Sequence, residues 1–220
     1  PLLQRYLRAL RSRNALLKQR VTDEAALDSF TREVVAAGNE IMRWRREFTP
    51  RLSPLVRLAY RKISNGAEDL RLDYQPSAKV DFAVELAQAR SRERIFRTTV
   101  CGPHRDELRL LLDEKPVAQF ASEGQKRTLA IALKMAQAEY VTGLHGAPPI
   151  LVIDDVMGEL DAKRRSGLLP LIERSHQASS QVFMTCTEEN WPRELGRQLH
   201  RWEVRAGTLI RIEDSIRGPM

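Results

Sequence analysis

Residues 150–155 read Ile-Leu-Val-Ile-Asp-Asp, and this stretch decides the fold. Four consecutive apolar residues predict a strand that is buried on both faces, which is typical of a parallel sheet covered by helices. Asp154 and Asp155 then stand at the carboxyl end of the strand, where α/β folds bind their ligands. Apolar strands that end in aspartate are common, so this pattern needs support from its neighbours.

The segments on either side of this strand alternate between helical and strand patterns. Helices are predicted over about 123–142 and 162–174, and strands over 98–101 and 181–185. Helices that alternate with apolar strands predict a parallel sheet. The remaining predicted elements are a strand at 70–74, a helix over 79–96, and hairpins formed by 108–112 with 116–120 and by 200–204 with 208–212.

The first 66 residues have a purely helical pattern. One helix is predicted over 2–20, and a second follows a cap at Thr22 or Asp23 and ends at Asn65-Gly66. Its apolar periodicity continues beyond Pro50 and Pro54. Two long helices joined by a short turn predict an antiparallel hairpin. Because the chain opens inside helical periodicity without a cap, we expect further sequence to precede it in the parent protein.

The positive charge of the 220-residue chain is concentrated in this helical segment. Residues 1–62 hold 14 Lys and Arg against 6 Asp and Glu, whereas the rest holds 22 against 23. A basic element on a near-neutral body favours contact with a polyanion such as nucleic acid, although the arginines of a solvated helix would give the same count. No uncharged apolar run is long enough to span a membrane, so we expect a cytoplasmic protein.

Two motifs flank the decisive strand. Residues 121–127 read Ala-Ser-Glu-Gly-Gln-Lys-Arg, in which Ser122 and Gln125 fit a capping box at the start of a helix. Such a helix start, with glycine nearby, is suited to bind an anion. Residues 158–161 read Gly-Glu-Leu-Asp, and Asp161 can cap the following helix.

In this order, residues 121–127, 150–155 and 158–161 resemble the signature motif, Walker B strand and D-loop of ABC-type ATPase heads. They are most similar to the RecF family of recombination mediators, which are relatives of the SMC-like ATPases. The resemblance is strong over residues 98–190 and includes Gly102 to Asp106. It implies an α/β fold: a head lobe with a parallel sheet and flanking helices, plus an α-helical arm hairpin.

The resemblance also implies a division of the chain and roles for its residues. Residues 1–66 would form the arm, 67–214 the C-terminal part of the head, and 215–220 a tail. Ser122 and Gly124 would contact the γ-phosphate of ATP bound on the opposing subunit, and Gln125 would support that loop. Within its own subunit, Asp154 would hold a water on Mg²⁺ and Asp155 would act as general base. The D-loop would comprise Gly158, Glu159, Leu160 and Asp161, with Asp161 reaching across the dimer interface.

The chain departs from the general ABC pattern in two places. Gly158 stands where serine is more usual, and Thr185 or Thr187 takes the switch position that ABC proteins fill with histidine. We therefore expect slow turnover. Candidate contacts to phosphate or DNA are His104, Arg105, Arg43, Arg45 and Arg46, each of which could instead serve the structure.

No Gly-Lys dipeptide occurs in the sequence, so the phosphate-binding P-loop is absent from it. The resemblance implies a parent protein that is a weak DNA-dependent ATPase and dimerises with ATP, whereas this chain alone should not hydrolyse ATP. That parent would bind single- or double-stranded DNA and load recombinase at gapped DNA with mediator proteins in the damage response. Two alternatives remain open: a DNA- or partner-binding scaffold without ATP chemistry, and a metal-dependent nuclease using Asp154, Asp155, Glu159 and Asp161.

Overall fold

The computed structural model describes residues 1–21, 23–66, 68–177, 181–187 and 200–212, without the side chains of residues 159 and 174–177. The chain divides into two compact units, Pro1–Tyr140 and Val141–Met220. The predicted division into residues 1–66, 67–214 and 215–220 stays a prediction, and residues 213–220 lie outside the described part.

The first unit opens with the predicted antiparallel helical hairpin. Helix α1 covers Leu2–Leu17 and helix α2 covers Glu24–Ser64. The direction of the pair is fixed by Arg13 of α1, whose Nε donates to Thr31 Oγ1 near the start of α2 at 2.9 Å. This contact confirms the predicted hairpin. Helix α1 ends at Leu17, three residues before its predicted limit.

Helix α2 begins and ends at the predicted caps and runs through both of its prolines. Asp23 accepts from the Ala26 amide at 3.0 Å, and Asn65 has the left-handed conformation common after a helix. Pro50 and Pro54 lack an N–H group, so the carbonyls of Arg46 and Pro50 have no donor at the usual position four residues later. The helix nevertheless continues through both prolines and has a total length of 41 residues.

A small antiparallel sheet follows the hairpin. Strand β1 (Leu70–Gln75) pairs with β2 (Glu107–Leu112), which pairs in turn with the two-residue β3 (Lys115–Pro116). The predicted partner strand at 116–120 is therefore wrong beyond Pro116, because α5 (Val117–Phe120) forms a helical turn there. The helix predicted over 79–96 is interrupted at Ala89 and consists of α3 (Phe82–Gln88) and α4 (Arg90–Phe96).

The strand predicted at 98–101 does not form. Its amide groups are bound by side chains: Thr99 N donates to Asn14 Oδ1 at 2.8 Å, and Val100 N donates to Glu93 Oε1 at 3.3 Å. Because these donors are already satisfied, the segment has no need of a neighbouring strand. Its apolar residues serve the core instead, where Cys101 is buried and has its pKa raised to about 11 by that burial.

The core of the first unit joins the hairpin to α3. Phe82 is 2% exposed and lies against two glycines, Gly38 of α2 and Gly102. A Cβ atom on Gly38 would stand 2.6 Å from Phe82 Cε1, and one on Gly102 would stand 2.6 Å from Phe82 Cζ. Both glycines are therefore needed for the aromatic ring to reach the arm helix. The members of this core cluster are Tyr6, Ala9, Leu10, Val34, Ala37, Ile41, Met42, Ala78, Phe82, Leu86, Ala89 and Cys101.

We expect Gly38→Ala to lower the free energy of unfolding by about 1–3 kcal/mol, because the new methyl group must displace the Phe82 ring. The matched control is Gly143→Ala, since nothing lies within 4 Å of a Cβ atom at that helical position. That control should stabilise the chain by about 0.5–1 kcal/mol. Denaturant unfolding of both variants measures the difference, and equal effects would contradict this packing.

The second unit contains the decisive strand. Strand β4 (Leu151–Asp154) pairs in parallel with β5 (Val182–Thr185), which confirms the predicted parallel arrangement. Helix α6 (Glu123–His145) precedes β4, and α7 (Ala162–Gln177) connects the two strands. The predicted hairpin is formed by β6 (Arg201–Arg205) and β7 (Thr208–Ile212), which turn at Ala206-Gly207.

The second unit has a small buried core, but several apolar side chains of its strands are exposed. Its core is formed on α7 and the turn before it, by Met157, Leu160, Leu168, Leu169 and Ile172. The register partners Val152 and Phe183 are 77% and 57% exposed. Burial of β4 on both faces, as its apolar sequence predicts, is thus not reached among the described residues. Within the same residues, no helix combines the length and apolar character needed to cross a membrane.

Candidate functional site

Residues 121–127, which are predicted to form the signature motif and are called the signature segment below, start helix α6 with the predicted capping box. Ser122 N donates to Gln125 Oε1 at 2.7 Å, and Gln125 N donates to Ser122 Oγ at 3.3 Å. Lys126 N continues the helix by donating to the Ser122 carbonyl at 3.0 Å. These reciprocal bonds fix the backbone at the first turn of a 23-residue helix.

The capping box leaves specific donors for a ligand. Ser122 is exposed, and its Oγ accepts from Gln125, so its O–H group can still donate. The amides of Glu123 and Gly124 belong to the first turn, where an α-helix offers no internal acceptor. The segment thus presents a hydroxyl and helix-start amides, a combination that suits the oxygens of a phosphate.

The structure adds a residue that the sequence did not single out. Gln125 Nε2 donates to Glu68 Oε1 at 2.6 Å, and the Tyr60 hydroxyl donates to Glu68 Oε2 at 2.9 Å. Glu68 lies between the end of α2 and the start of β1, and Tyr60 is 1% exposed. No motif surrounds Glu68, and its partners are 8 and 57 residues away, so no sequence signal identifies it.

In the second unit, Asp154 and Asp155 both have exposed side chains at the end of β4. The Thr185 hydroxyl, at the end of the neighbouring β5, donates to Asp154 Oδ1. The Asp155 amide lies 3.0 Å from Thr185 Oγ1 and 3.1 Å from the Thr185 carbonyl oxygen. Thr185 therefore orders both aspartates, and Asp155 has the left-handed conformation that turns the chain away from the sheet.

The residues predicted to form the D-loop lie in a compact turn after β4. A 3₁₀ helix covers Val156–Glu159, and Leu160 is buried. Arg165 Nη2 donates to the carbonyl of Met157 at 3.0 Å and to that of Leu160 at 3.3 Å, which holds the turn against α7.

Asp161 caps α7, as predicted. Its Oδ1 accepts from the Arg164 amide at 2.8 Å, and its Oδ2 pairs with the Arg164 guanidinium. The hydrogen bond from the Arg164 amide is the main reason that the pKa of Asp161 lies below its ordinary value. Thr187, the other predicted switch residue, is exposed two residues beyond the end of β5.

A carboxylate cluster for direct metal binding is not formed by the described residues. No group of three or more His, Cys, Asp or Glu side chains among them could hold a metal ion, and the Glu159 side chain lies outside the description. The nuclease alternative therefore gains no support. A magnesium ion held through a water on one carboxylate needs less, and the exposed Asp154 carboxylate fits that requirement.

His104 uses both ring nitrogens within the first unit. Its Nε2 lies 3.1 Å from the Thr99 carbonyl oxygen, which can only accept, so Nε2 carries the proton. Nδ1 then accepts from the Tyr6 hydroxyl at 2.6 Å. Burial lowers the pKa of His104 below its ordinary value of 6.5, so the ring is neutral at pH 7. In this arrangement His104 joins α1 to the 98–102 segment and has no nitrogen left for a phosphate.

The arginines predicted to contact DNA have different environments. Arg45 donates to the Pro103 carbonyl at 2.6 Å and to Asp106 Oδ2 at 3.1 Å, and the Asp106 side chain is 1% exposed. The Arg45 guanidinium is therefore engaged in contacts within the first unit and has a structural role. Arg43 makes a 3.5 Å pair with Glu47 on the helix surface, while Arg46 and Arg105 are exposed.

Arg46 belongs to a basic groove between α2 and β1. The groove has a volume of about 1000 Å³, and we use the name for the space lined by Arg46, Ser53, Arg57, Arg61 and Arg71 together with Asp69 and Asp73. Arg46, Arg57 and Arg61 share one face of α2, because their spacings of 11 and 4 residues are close to whole helical turns. Arg57 pairs with Asp69, and Arg71 lies 3.6 Å from Glu114.

Curated relatives of the chain are DNA replication and repair proteins named RecF. The RecF of Symbiobacterium thermophilum is 35% identical over 94% of this chain and 58% of its own length. The RecF proteins of Thermosynechococcus vestitus and Lactococcus lactis are 35% and 36% identical over 97% and 93% of the chain. The chain spans between 57% and 59% of the length of these three relatives. No protein-family model matches the sequence.

Solved structures of the recombination mediator RecF share the fold. The structure of RecF-ATPrS has a TM-score of 0.79 over 96% of this chain and 58% of that chain, at 24% identity. RecF-ATP gives a TM-score of 0.76 with the same coverage and identity. This likeness confirms the α/β fold with a helical arm that the sequence predicts.

Proposed function

We propose that the chain is part of an ATP-dependent DNA-binding protein of recombinational repair and replication, because its sequence is similar to RecF over nearly all of its residues. ATP would join two heads into a dimer on DNA, and this state would support the loading of recombinase with mediator proteins in the cytoplasm. The observation that carries the proposal is the capping box of Ser122 and Gln125, which presents phosphate-binding donors at an exposed helix start.

The signature segment would act on nucleotide held by the opposing subunit. Ser122 would donate its hydroxyl proton to a γ-phosphate oxygen, and the amides of Glu123 and Gly124 would add two further donors. Gly124 has no Cβ atom, so a phosphate can approach the backbone closely. The positive end of the long α6 dipole favours the same anion.

The second unit would serve the nucleotide of its own subunit. Asp154 would hold a water on Mg²⁺, and this ion would neutralise charge on the phosphates. Asp155 would accept a proton from the water that attacks the γ-phosphate, a role for which its exposed carboxylate is accessible. Thr185 would keep both aspartates in place through the contacts described above.

Hydrolysis would act as a timer for DNA release in this scheme. In this proposal Thr185 or Thr187 takes the switch position that ABC proteins fill with histidine, and a hydroxyl would sense a γ-phosphate less strongly than a charged imidazole. Phosphate affinity also requires a P-loop, which this sequence does not contain. We therefore propose slow, DNA-dependent ATP hydrolysis by the intact protein and none by this chain alone. Nucleotide-dependent dimerisation of the intact protein, measured by light scattering, is the direct test of the proposed ATP-joined dimer.

The basic groove is the surface that we propose for DNA. From Arg46 to Arg61 the α2 stripe spans about 22 Å, at 1.5 Å per residue. Each strand of duplex DNA carries one phosphate per about 3.4 Å of helix axis, so several phosphates can lie along this row of arginines. Binding of this kind does not depend on base sequence and is weakened by salt.

Reversal of charge on this stripe tests the DNA proposal. We expect the double substitution Arg46→Glu and Arg61→Glu to weaken DNA binding by at least tenfold, and to reduce the salt dependence by about two counterions through loss of two phosphate contacts. Fluorescence anisotropy at several salt concentrations measures both quantities.

The matched control changes charge by the same amount on exposed arginines outside the groove, with Arg11→Glu and Arg32→Glu. Its salt dependence should change far less. An equal loss of affinity in both double variants would assign binding to net charge and would remove the groove from the proposal.

A further inference from the structure

The signature segment is tied to the arm helix through one carboxylate. Glu68 accepts from Gln125 Nε2 on one oxygen and from the Tyr60 hydroxyl on the other. Gln125 belongs to the capping box at the start of α6, and Tyr60 lies in the last turns of α2. A chain of three hydrogen-bonded side chains thus leads from the arm to the residue that holds Ser122.

Glu68 determines which way the Gln125 amide faces. A carboxylate offers only acceptors, so the Nε2 group of Gln125 must point at Glu68. Its Oε1 is then directed to the Ser122 amide, which can only donate. A flipped Gln125 would set two donors against each other at Ser122 and two acceptors at Glu68. Glu68 therefore reinforces the orientation of the Gln125 amide that the Ser122 amide also requires.

The neighbour of Glu68 connects this chain of contacts to the basic groove. Asp69 pairs with Arg57, and both side chains are about half exposed, at 51% and 52%. A phosphate that binds Arg57 would compete with Asp69 for the same guanidinium. The backbone of Asp69 would remain bound to Asp113, so the effect would reach Glu68 through Tyr60, which would follow any movement of the last turns of α2.

We propose that Glu68 is a positioning residue that couples the arm to the signature segment, so that DNA on the basic groove changes how well Ser122 engages nucleotide on the opposing subunit. The coupling rests on the proposed functions of the signature segment and of the basic groove, and adds to them a physical route between the DNA and nucleotide sites. Tyr60 and Gln125 are the two ends of this route.

Three variants of the intact protein test the coupling. Glu68→Ala removes both contacts, and we expect it to raise the dissociation constant of the ATP-bound dimer about tenfold, because Gln125 loses the charged acceptor that helps to orient it. Glu68→Gln should stay within about threefold of the wild type, because its amide can accept from Gln125 and donate to the Tyr60 oxygen. Tyr60→Phe keeps the Glu68–Gln125 bond, so dimerisation without DNA should change little while its response to DNA falls.

Dimerisation is measured by light scattering with ATP, with and without a DNA duplex, and ATP binding to monomers is measured with a fluorescent nucleotide. Monomer affinity should remain within twofold in all variants. The matched control is Glu47→Ala, which removes an exposed arm carboxylate paired only loosely with Arg43. Wild-type dimerisation and DNA response in both Glu68→Ala and Tyr60→Phe would overturn the proposal, as would equal losses in Glu68→Ala and Glu68→Gln.

Failure of this coupling can be distinguished from failure of the proposed function. If the signature segment binds nucleotide in trans, substitution of Ser122 by arginine abolishes ATP-dependent dimerisation whether or not Glu68 matters. Loss of dimerisation in that variant, together with normal behaviour of the Glu68 variants, rejects the coupling alone. Should Glu68→Ala fail to fold, Tyr60→Phe decides the question, because its ring still fills the buried site.

Discussion

Ser122→Arg in the intact protein is expected to abolish ATP-dependent dimerisation while monomers still bind ATP. The substitution removes the exposed hydroxyl at the start of α6 and places a long side chain where a phosphate should approach. Loss of several hydrogen bonds to a charged phosphate, each worth about 1.5–3 kcal/mol, corresponds to at least a thousandfold weaker dimer. Light scattering at increasing protein concentration measures the dimer, and a fluorescent nucleotide measures binding to the monomer.

Two further substitutions at Ser122 separate capping from phosphate contact. Ser122→Thr keeps both the cap and the hydroxyl, so dimerisation should remain close to that of the wild type. Ser122→Asp keeps a good cap but sets a negative charge against the phosphate, so it should prevent dimerisation as Ser122→Arg does. If Ser122→Arg also removed ATP binding by monomers, the in-trans arrangement would be wrong. A wild-type protein that fails to dimerise with ATP would favour the scaffold alternative.

Arg13→Ala is expected to give the largest loss of stability in the first unit. Arg13 and Glu93 form a two-bond ion pair with N–O distances of 3.0 and 2.6 Å, and both side chains are fully buried. Arg13 also donates to Thr99 Oγ1 at 2.7 Å. Removal of one partner leaves a buried, uncompensated carboxylate, which costs about 3–5 kcal/mol. Denaturant unfolding measures this loss.

The controls for Arg13 separate a buried pair from an exposed one. Arg43→Ala breaks a surface pair whose side chains are 60% and 52% exposed, and should change the free energy of unfolding by less than about 1 kcal/mol. The double substitution Arg13→Met and Glu93→Leu removes both charges and should recover part of the stability, although the Val100 amide loses its acceptor. A loss in the double variant as large as in Arg13→Ala would show that the pair itself, and not the stranded charge, determines stability.

The sequence predicts those elements whose signals are local. The caps at Asp23 and Ser122, the glycine-containing turn at 206–207 and the apolar strand at 150–153 all depend on residues within four positions of one another. Their hydrogen bonds or pairings are present in the structure. The capping box is also the part of the candidate site that could be predicted as geometry and not only as a resemblance.

The errors arise where distant side chains satisfy the backbone. Residues 98–101 have the apolar composition of a strand, but Asn14 and Glu93 bind the amides that a strand would offer to a neighbour. A sequence pattern carries no information on a partner 85 residues away. The same reason hides Glu68, and it explains why Arg45, which looks like a surface cation, is held by the Asp106 carboxylate.

The paired prolines of α2 have a mechanical consequence. Between Arg46 and Pro54 the helix lacks two of its backbone hydrogen bonds, those that residues 50 and 54 would donate, so we expect its bending stiffness to be lowest there. The part of α2 before this stretch packs on α1, and the part after it carries Arg57 and Arg61 of the basic groove. We therefore expect force on Arg57 and Arg61 to bend the helix at the prolines and to leave the packing of α1 on α2 largely unchanged. The arm can thus be stiff where α1 packs on α2 and flexible at Pro50 and Pro54.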